Sequence, residues 1–212
     1  MATPHNISYK PTDGLSYDPD EPKYWDKGGL DKEMTRAFEL CHGCRMCFKY
    51  CDSFPILFDL IDKRHDGDVT KITAAETDRV MDACFQCKLC EVQCPYTPRD
   101  KHEYQLDFPK LVHRYKAQRA KARGIPLRDR ILASPDAAGT MARLSFGMAN
   151  VMNKVTLHRM FMQAALGIHK DKLLPDFAPT TFEKWAEESR RIQPKPDGVE
   201  AVLFPTCYVQ NN

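Results

Sequence analysis

Residues 41–51 read CHGCRMCFKYC and residues 84–95 read CFQCKLCEVQCP. Each stretch carries the spacing C-x2-C-x2-C-x3-C. The first supplies Cys41, Cys44, Cys47 and Cys51, and the second supplies Cys84, Cys87, Cys90 and Cys94. Every matched pair is offset by 43 residues, so the two stretches are copies of one unit. A cubane of iron and sulfide needs four soft thiolate donors at the corners of a tetrahedron. Three thiolates spaced two residues apart wrap such a body from one tight loop. The fourth must arrive from elsewhere, because a loop of that size cannot surround the cluster.

The spacing is that of two-cluster ferredoxins, in which the fourth cysteine of each run ligates the other cluster. Carried onto this chain, that pattern assigns Cys41, Cys44, Cys47 and Cys94 to one [4Fe–4S] cluster. It assigns Cys84, Cys87, Cys90 and Cys51 to the second. Crossing of this kind would staple the two halves together and couple cluster assembly to folding. The rival metal is zinc, but zinc ribbons use cysteine pairs separated by a long spacer rather than four cysteines crowded into eleven residues. A three-iron cluster has no missing ligand to recommend it. The second run ends in the usual Cys94-Pro95, whereas the first ends Cys51-Asp52. The Asp52 charge is expected to lower the potential of the nearby cluster, and Asp52→Asn to raise it.

Working outward, both runs follow helical patterns. Met34, Ala37, Phe38 and Cys41 fall at i, i+3, i+4 and i+7. Thr73 and Glu76 have the spacing of a capping box ahead of Val80 and Met81. Pro55 to Asp62 reads as a short helix broken by Asp66, Gly67 and Asp68. Residues 1–29 hold Pro4, Pro11, Pro19 and Pro22 and read as an extended, partly disordered arm, with Tyr9, Tyr17, Tyr24 and Trp25 available to pin it. Asp107 to Arg123 reads as a basic helix stopped at Gly124. Residues 139–168 suit one or two helices with a broad apolar face, and Thr181 to Arg191 suits another. Ala201, Val202, Leu203 and Phe204 read as a strand within 199–209.

The 212 residues carry a formal charge of +2. Two oxidised clusters with four thiolates each would bring the loaded protein to roughly −2, so net charge gives nucleic-acid binding no support. Nine cysteines, an odd number, argue against a closed disulfide framework. The first ten residues show no secretory pattern, and no run of about 18 apolar residues exists. The expected location is cytoplasmic, with peripheral contact at the inner face of a membrane as an option. Lys110, Arg114, Lys116, Arg119, Lys121, Arg123, Arg128 and Arg130 are expected on a solvated helix face, the alternative being a docking surface. Met141, Met148, Met152, Met160 and Met162 are expected as core filler rather than ligands. His42, His65, His102, His113, His158 and His169 show no zinc or haem pairing, and no Gly-rich nucleotide loop is present.

The order of these features resembles the iron–sulfur proteins related to heterodisulfide reductase, a group that includes the iron–sulfur subunits of anaerobic glycerol-3-phosphate dehydrogenase and of glycolate oxidase. The resemblance rests on the tandem motifs and on Gly167-Ile168-His169, Leu174-Pro175-Asp176-Phe177 and Thr181-Phe182. It also rests on the strand leading to Cys207. It implies a mainly α fold: an extended arm at 1–29, a two-cluster ferredoxin-type domain at 30–104, a helical extension at 105–193, and the start of an α/β cysteine-rich CCG domain at 199–212. It implies that the chain is truncated there, with Cys207 as a thiol of that second domain; by burial alone Cys207 reads as a buried free thiol. The implied function is single-electron relay between a flavoprotein dehydrogenase and an acceptor, often a membrane quinone. The alternatives are a reductase whose catalytic CCG domains are missing here, and a structural metal-binding scaffold.

Overall fold

The computed structural model describes residues 7–189 and 204–212. Among them the regular structure is helical, with eleven α-helices and no strand. The chain divides after Gly124 into two compact units.

In the first unit, α1 (Lys27–Cys44), α2 (Ser53–Arg64), α3 (Ala74–Asp82), α4 (Leu89–Gln93) and α5 (Phe108–Arg123) enclose one apolar core. Asp26 caps α1 by accepting from the Gly29 N–H. The apolar stripe foreseen for α1 is real: Leu30, Met34, Ala37, Phe38 and Leu40 are buried. They meet Phe54, Leu57, Phe58 and Ile61 of α2, Val80 and Met81 of α3, and Phe108, Leu111 and Val112 of α5. The left-handed backbone of Asp66 and Gly67 ends the α2 turn region. The capping box of α3 is complete, with Thr73 Oγ1 accepting from the Glu76 N–H and Glu76 Oε2 accepting from the Thr73 N–H. Asp107 caps α5 through the Lys110 N–H, and Gly124 closes it at positive φ.

Two buried arginines hold the described part of the arm. Arg36 donates to both the Tyr9 and Tyr104 carbonyls and pairs with Glu33. The other Glu33 oxygen accepts from the Thr12 N–H. Arg114 donates to the carbonyls of Gly14, Ser16, Lys23, Tyr24 and Asp26. A guanidinium cannot shed its proton, so its five N–H groups need partners wherever it is buried. Here the arm's backbone supplies them. Gly14 and Gly29 approach so closely that a Cβ on Gly14 would lie 2.4 Å from the Gly29 Cα.

This arrangement corrects the solvated-face expectation at Arg114, Lys116 and Arg119, whereas Lys110, Lys121, Arg123, Arg128 and Arg130 are exposed. Arg114 is fully buried, Lys116 donates to the Cys84 carbonyl, and Arg119 and Arg123 both bond Asp78. The same helix lies in the compact unit that holds the cysteines.

The second unit contains α6 (Leu127–Leu132), α7 (Pro135–Leu144), α8 (Met148–Met152), α9 (Thr156–Leu166), α10 (Phe182–Glu188) and α11 (Cys207–Asn211). It is organised by polar anchors. Buried Asn211 accepts from Arg143 and donates to Asp136. The Asn150 side chain bonds both the N–H and the carbonyl of Phe177. Buried Arg159 donates to the carbonyls of His169, Lys170 and Lys172. Most of its large apolar side chains are turned outward. Met141, Met148, Met152 and Met160 are exposed, which corrects their expectation as core. The expected strand is also corrected over its described part: Phe204 to Thr206 is irregular, and Thr206 caps a short helix that begins at Cys207. The rest of that segment, including Ala201 to Leu203, lies outside the described residues. Cys207 itself is exposed, not buried.

Candidate iron–sulfur site

All eight cysteines of the two runs lie in the first unit. The first run leaves the C-terminus of α1, and Cys41 and Cys44 belong to its last turn. The second leaves α3 and continues into α4. The repeat is visible in the backbone. Arg45 and Lys88, each following the second cysteine of its run, are both left-handed, at φ 55° and 61°. Matched positions also meet each other. The Cys47 thiol approaches the Cys90 carbonyl at 3.8 Å, and the Tyr50 hydroxyl donates to Gln93 at 3.1 Å. Contacts between equivalent positions are what a local twofold between two copies produces.

Cys41, Cys44, Cys47 and Cys94 line one cavity with Leu40, Phe54, Phe58, Tyr96 and Leu106 around them. Cys94 reaches this cavity from the other run. Cys51 in turn has the Cys84 and Cys87 thiols beside it, and Cys90 is influenced first by Cys47 and then by Cys84, Cys51 and Cys87. Among the described residues, no three His, Cys, Asp or Glu side chains converge as ligands of a single bare ion do. The four sulfurs of the cavity stand around a volume, and that donor set fits a cluster of iron and sulfide.

Burial and the neighbouring thiols push the Cys41 thiol well up and raise Cys47 and Cys90 to about 12. Four thiolates so close together, away from water, require a compensating cationic body. Backbone donors help some of them. The N–H groups of Ser53 and Phe54 at the start of α2 favour the Cys51 thiolate, and that of Tyr96 favours the Cys94 thiolate. The positive end of α2 therefore points at Cys51.

An aromatic group closes the first cavity. Tyr96 lies 5.1 Å from His102 and 5.5 Å from Tyr104, and Tyr104 lies 5.6 Å from Tyr9 of the arm. His42 of α1 and Arg45 just after it both bond Asp62 of α2, and Arg45 holds the Asp62 carboxyl down near 2. The other histidines foreseen as lone residues serve structure: His65 pairs with Glu76, and His113 with the Tyr24 hydroxyl. Sequence reasoning missed Glu33, Arg36 and the Gln86 side chain. A charged residue inside an apolar helical stripe, as at Glu33 and Arg36, was the available signal.

Residues 40–97 match the family model of a 4Fe-4S dicluster domain. The chain thus carries a two-cluster iron–sulfur domain with an electron-transfer role, in a mainly α-helical fold, and the eight cysteines fit two [4Fe–4S] clusters. Over 153 residues the chain is 22% identical to citrate utilization protein B of Escherichia coli, covering 72% of this chain and 35% of that protein. The chain therefore spans about a third of that relative's length. No solved structure matches significantly. No described helix is long and apolar enough to cross a membrane.

Proposed function

We propose that this protein relays single electrons between a flavoprotein dehydrogenase and an acceptor, with Cys41, Cys44, Cys47 and Cys94 holding one cluster and Cys84, Cys87, Cys90 and Cys51 the other. The observation that carries the grouping is the cavity in which Cys94 joins Cys41, Cys44 and Cys47 across the repeat. Bound there, the clusters supply one-electron chemistry at potentials set by burial and by hydrogen bonds to sulfur. The chain's own contribution is placement. Phe54, Phe58 and Leu106 wall the first quartet from water, and the start of α2 presents N–H groups to Cys51. Both cysteine loops also present apolar side chains to solvent: Met46 and Phe48 on the first, and Phe85, Leu89 and Val92 on the second. An exposed apolar rim beside a redox centre suits brief docking of protein partners. The dehydrogenase and a quinone acceptor come from the resemblance to the heterodisulfide reductase group, as does peripheral contact with a membrane.

The test is elemental and genetic. Anaerobically purified protein should contain about eight irons and eight acid-labile sulfides, reducible by dithionite. Cys94→Ser should disturb the cluster that Cys41→Ser disturbs, and Cys51→Ser the one that Cys87→Ser disturbs. Zinc without sulfide would defeat the reading, and clusters that stay oxidised in dithionite would leave a structural scaffold. A second reading comes from the same resemblance: a heterodisulfide-reductase-like oxidoreductase whose catalytic CCG domains are not in this sequence, with Cys207 as a thiol of such a domain. A longer natural chain with two CCG motifs would establish that.

A further inference from the structure

The two copies of the repeat differ at one position in a way that backbone physics makes informative. Position 43 of the first run is glycine, in the last helical turn of α1 and with ordinary φ. Its counterpart in the second run is Gln86, at φ 59°. The left-handed region favours glycine, and a glutamine there is strained. The residue without a side chain thus occupies the relaxed site, and the residue with one occupies the strained site. Strain of this kind persists where surrounding contacts hold it. The contacts here are specific: Gln86 Nε2 donates to the Cys84 sulfur at 3.8 Å and to the Pro109 carbonyl at 3.2 Å.

Pro109 lies near the start of α5. Two turns later on the same face, Lys116 places its ammonium 3.1 Å from the Cys84 carbonyl. The helix thus delivers an anchor for the amide and a positive charge to one cysteine. In the first quartet the Tyr96 hydroxyl faces Cys44 as the counterpart of the Gln86 contact, but among the described residues no lysine or arginine side chain bonds one of its cysteines. Arg45 beside it is bonded to Asp62, and Asp100 and Asp107 lie near Cys94, each with a cation of its own, Arg99 at 3.1 Å and Lys110 at 3.5 Å. The second quartet has anions of its own nearby. Asp52 is exposed and screened by water, and Glu91 faces Lys88 at 4.0 Å.

We propose that Gln86 and Lys116 are tuning residues that raise the potential of the cluster held by Cys84, Cys87 and Cys90 above that of its neighbour, so that an electron entering the pair settles there. A hydrogen bond to a ligand sulfur and a nearby cation both favour the more negative, reduced cluster. Transfer between the clusters moves one electron, reducing this cluster and oxidising the other, with no further reactant. The inference rests on the two-cluster reading above but needs only the uncrossed cysteines of the second run.

The experiment is an EPR-monitored redox titration of anaerobic holoprotein that resolves two potentials. Cys87→Ser identifies the potential belonging to the second run. Gln86→Gly and Lys116→Met should each lower that potential, the higher of the two, by an amount worth about threefold or more in electron partition; a tenfold change is about 59 mV for one electron. Gln86→Gly should at the same time leave the thermal midpoint unchanged or raised, because glycine relieves the left-handed backbone. That separates a retuned cluster from a damaged fold. Shifts below about threefold, or shifts in the other potential, overturn the proposal. Cys51→Ser tests the crossing alone: if it alters the potential that Cys87→Ser leaves in place, the grouping fails while the tuning is still judged by Gln86 and Lys116.

Discussion

The two compact units of this chain differ in how much apolar side chain they bury. The first has a continuous apolar interior from Leu30 to Val112, with Arg36 and Arg114 inside it. The second buries Arg159 and Asn211 and leaves Phe146, Leu157, Phe161 and Leu173 facing out. The difference teaches where fixed geometry is required. A pair of clusters a short electron step apart needs sulfurs that do not wander, and a dense core with saturated cations fixes the loops that carry them. The second unit holds its loops by a few side-chain-to-backbone bonds, and its apolar faces are not covered within the unit.

Removing the clusters should sharpen the contrast most. Stripping iron with a chelator under oxidising conditions should cost the first unit several kcal/mol, because ligand thiols raised by burial and mutual repulsion lose their counter-charge. Hydrogen exchange should then accelerate across α1 to α5 and stay unchanged across α7 to α9. Equal acceleration in both units would break the comparison.

Arg114→Met comes next. It strands the carbonyls that bind the arm in a buried setting, at a cost of about 3–5 kcal/mol by denaturant titration, and should free residues 7–26 to proteolysis. A loss below about 1 kcal/mol would mean that the arm is held by its aromatic contacts instead.

The α3 cap gives a smaller, pH-dependent effect. The Glu76 carboxyl is held down near 2, first by the Thr73 N–H and then by His65, Thr73 and Arg64. A carboxyl lowered on folding stabilises the native state above its unfolded value of about 4.3. That contribution disappears as pH falls toward the folded value. The advantage of the parent over Glu76→Gln should therefore be full at pH 6 and shrink between about pH 4.5 and 2. Thr73→Ala should cost about 1 kcal/mol by loss of the cap. A constant difference across the acid range would place the role of Glu76 elsewhere.

The smallest effect belongs to the second unit. Leu144→Ser on the exposed face of α7 should change stability by no more than about 0.5 kcal/mol, read by the thermal midpoint. A loss of about 2 kcal/mol or more would show that this face is covered in the folded protein.

Much of the first unit was legible in the residues. Period 3.6 in α1, the Thr73 capping box, the Asp107 cap and the Gly124 stop are local signals, and each operates at the residues that carry it. The methionines from 141 to 160 misled, because periodicity locates an apolar face without saying whether anything covers it. The strand reading near Cys207 failed over Phe204 to Val209, where Thr206 acts as a helix cap. Arg114 looked like one more solvated cation, since charge spacing on a helix is silent about which chain segment will fold over it.

By itself the sequence determined the cluster chemistry, because four thiolates at two- and three-residue intervals are a local property of each loop. It also determined the helices that deliver those loops. Only the tertiary structure decided which sulfurs face one another, that Lys116 and Gln86 converge on Cys84, and that the arm closes over two buried guanidiniums. The long-range hydrogen bonds behind those outcomes reach from 23 positions along the chain, at Gln86 and Pro109, to 100, at Arg114 and Gly14. Pairing at that range is set by packing and by the demand that buried polar groups be satisfied.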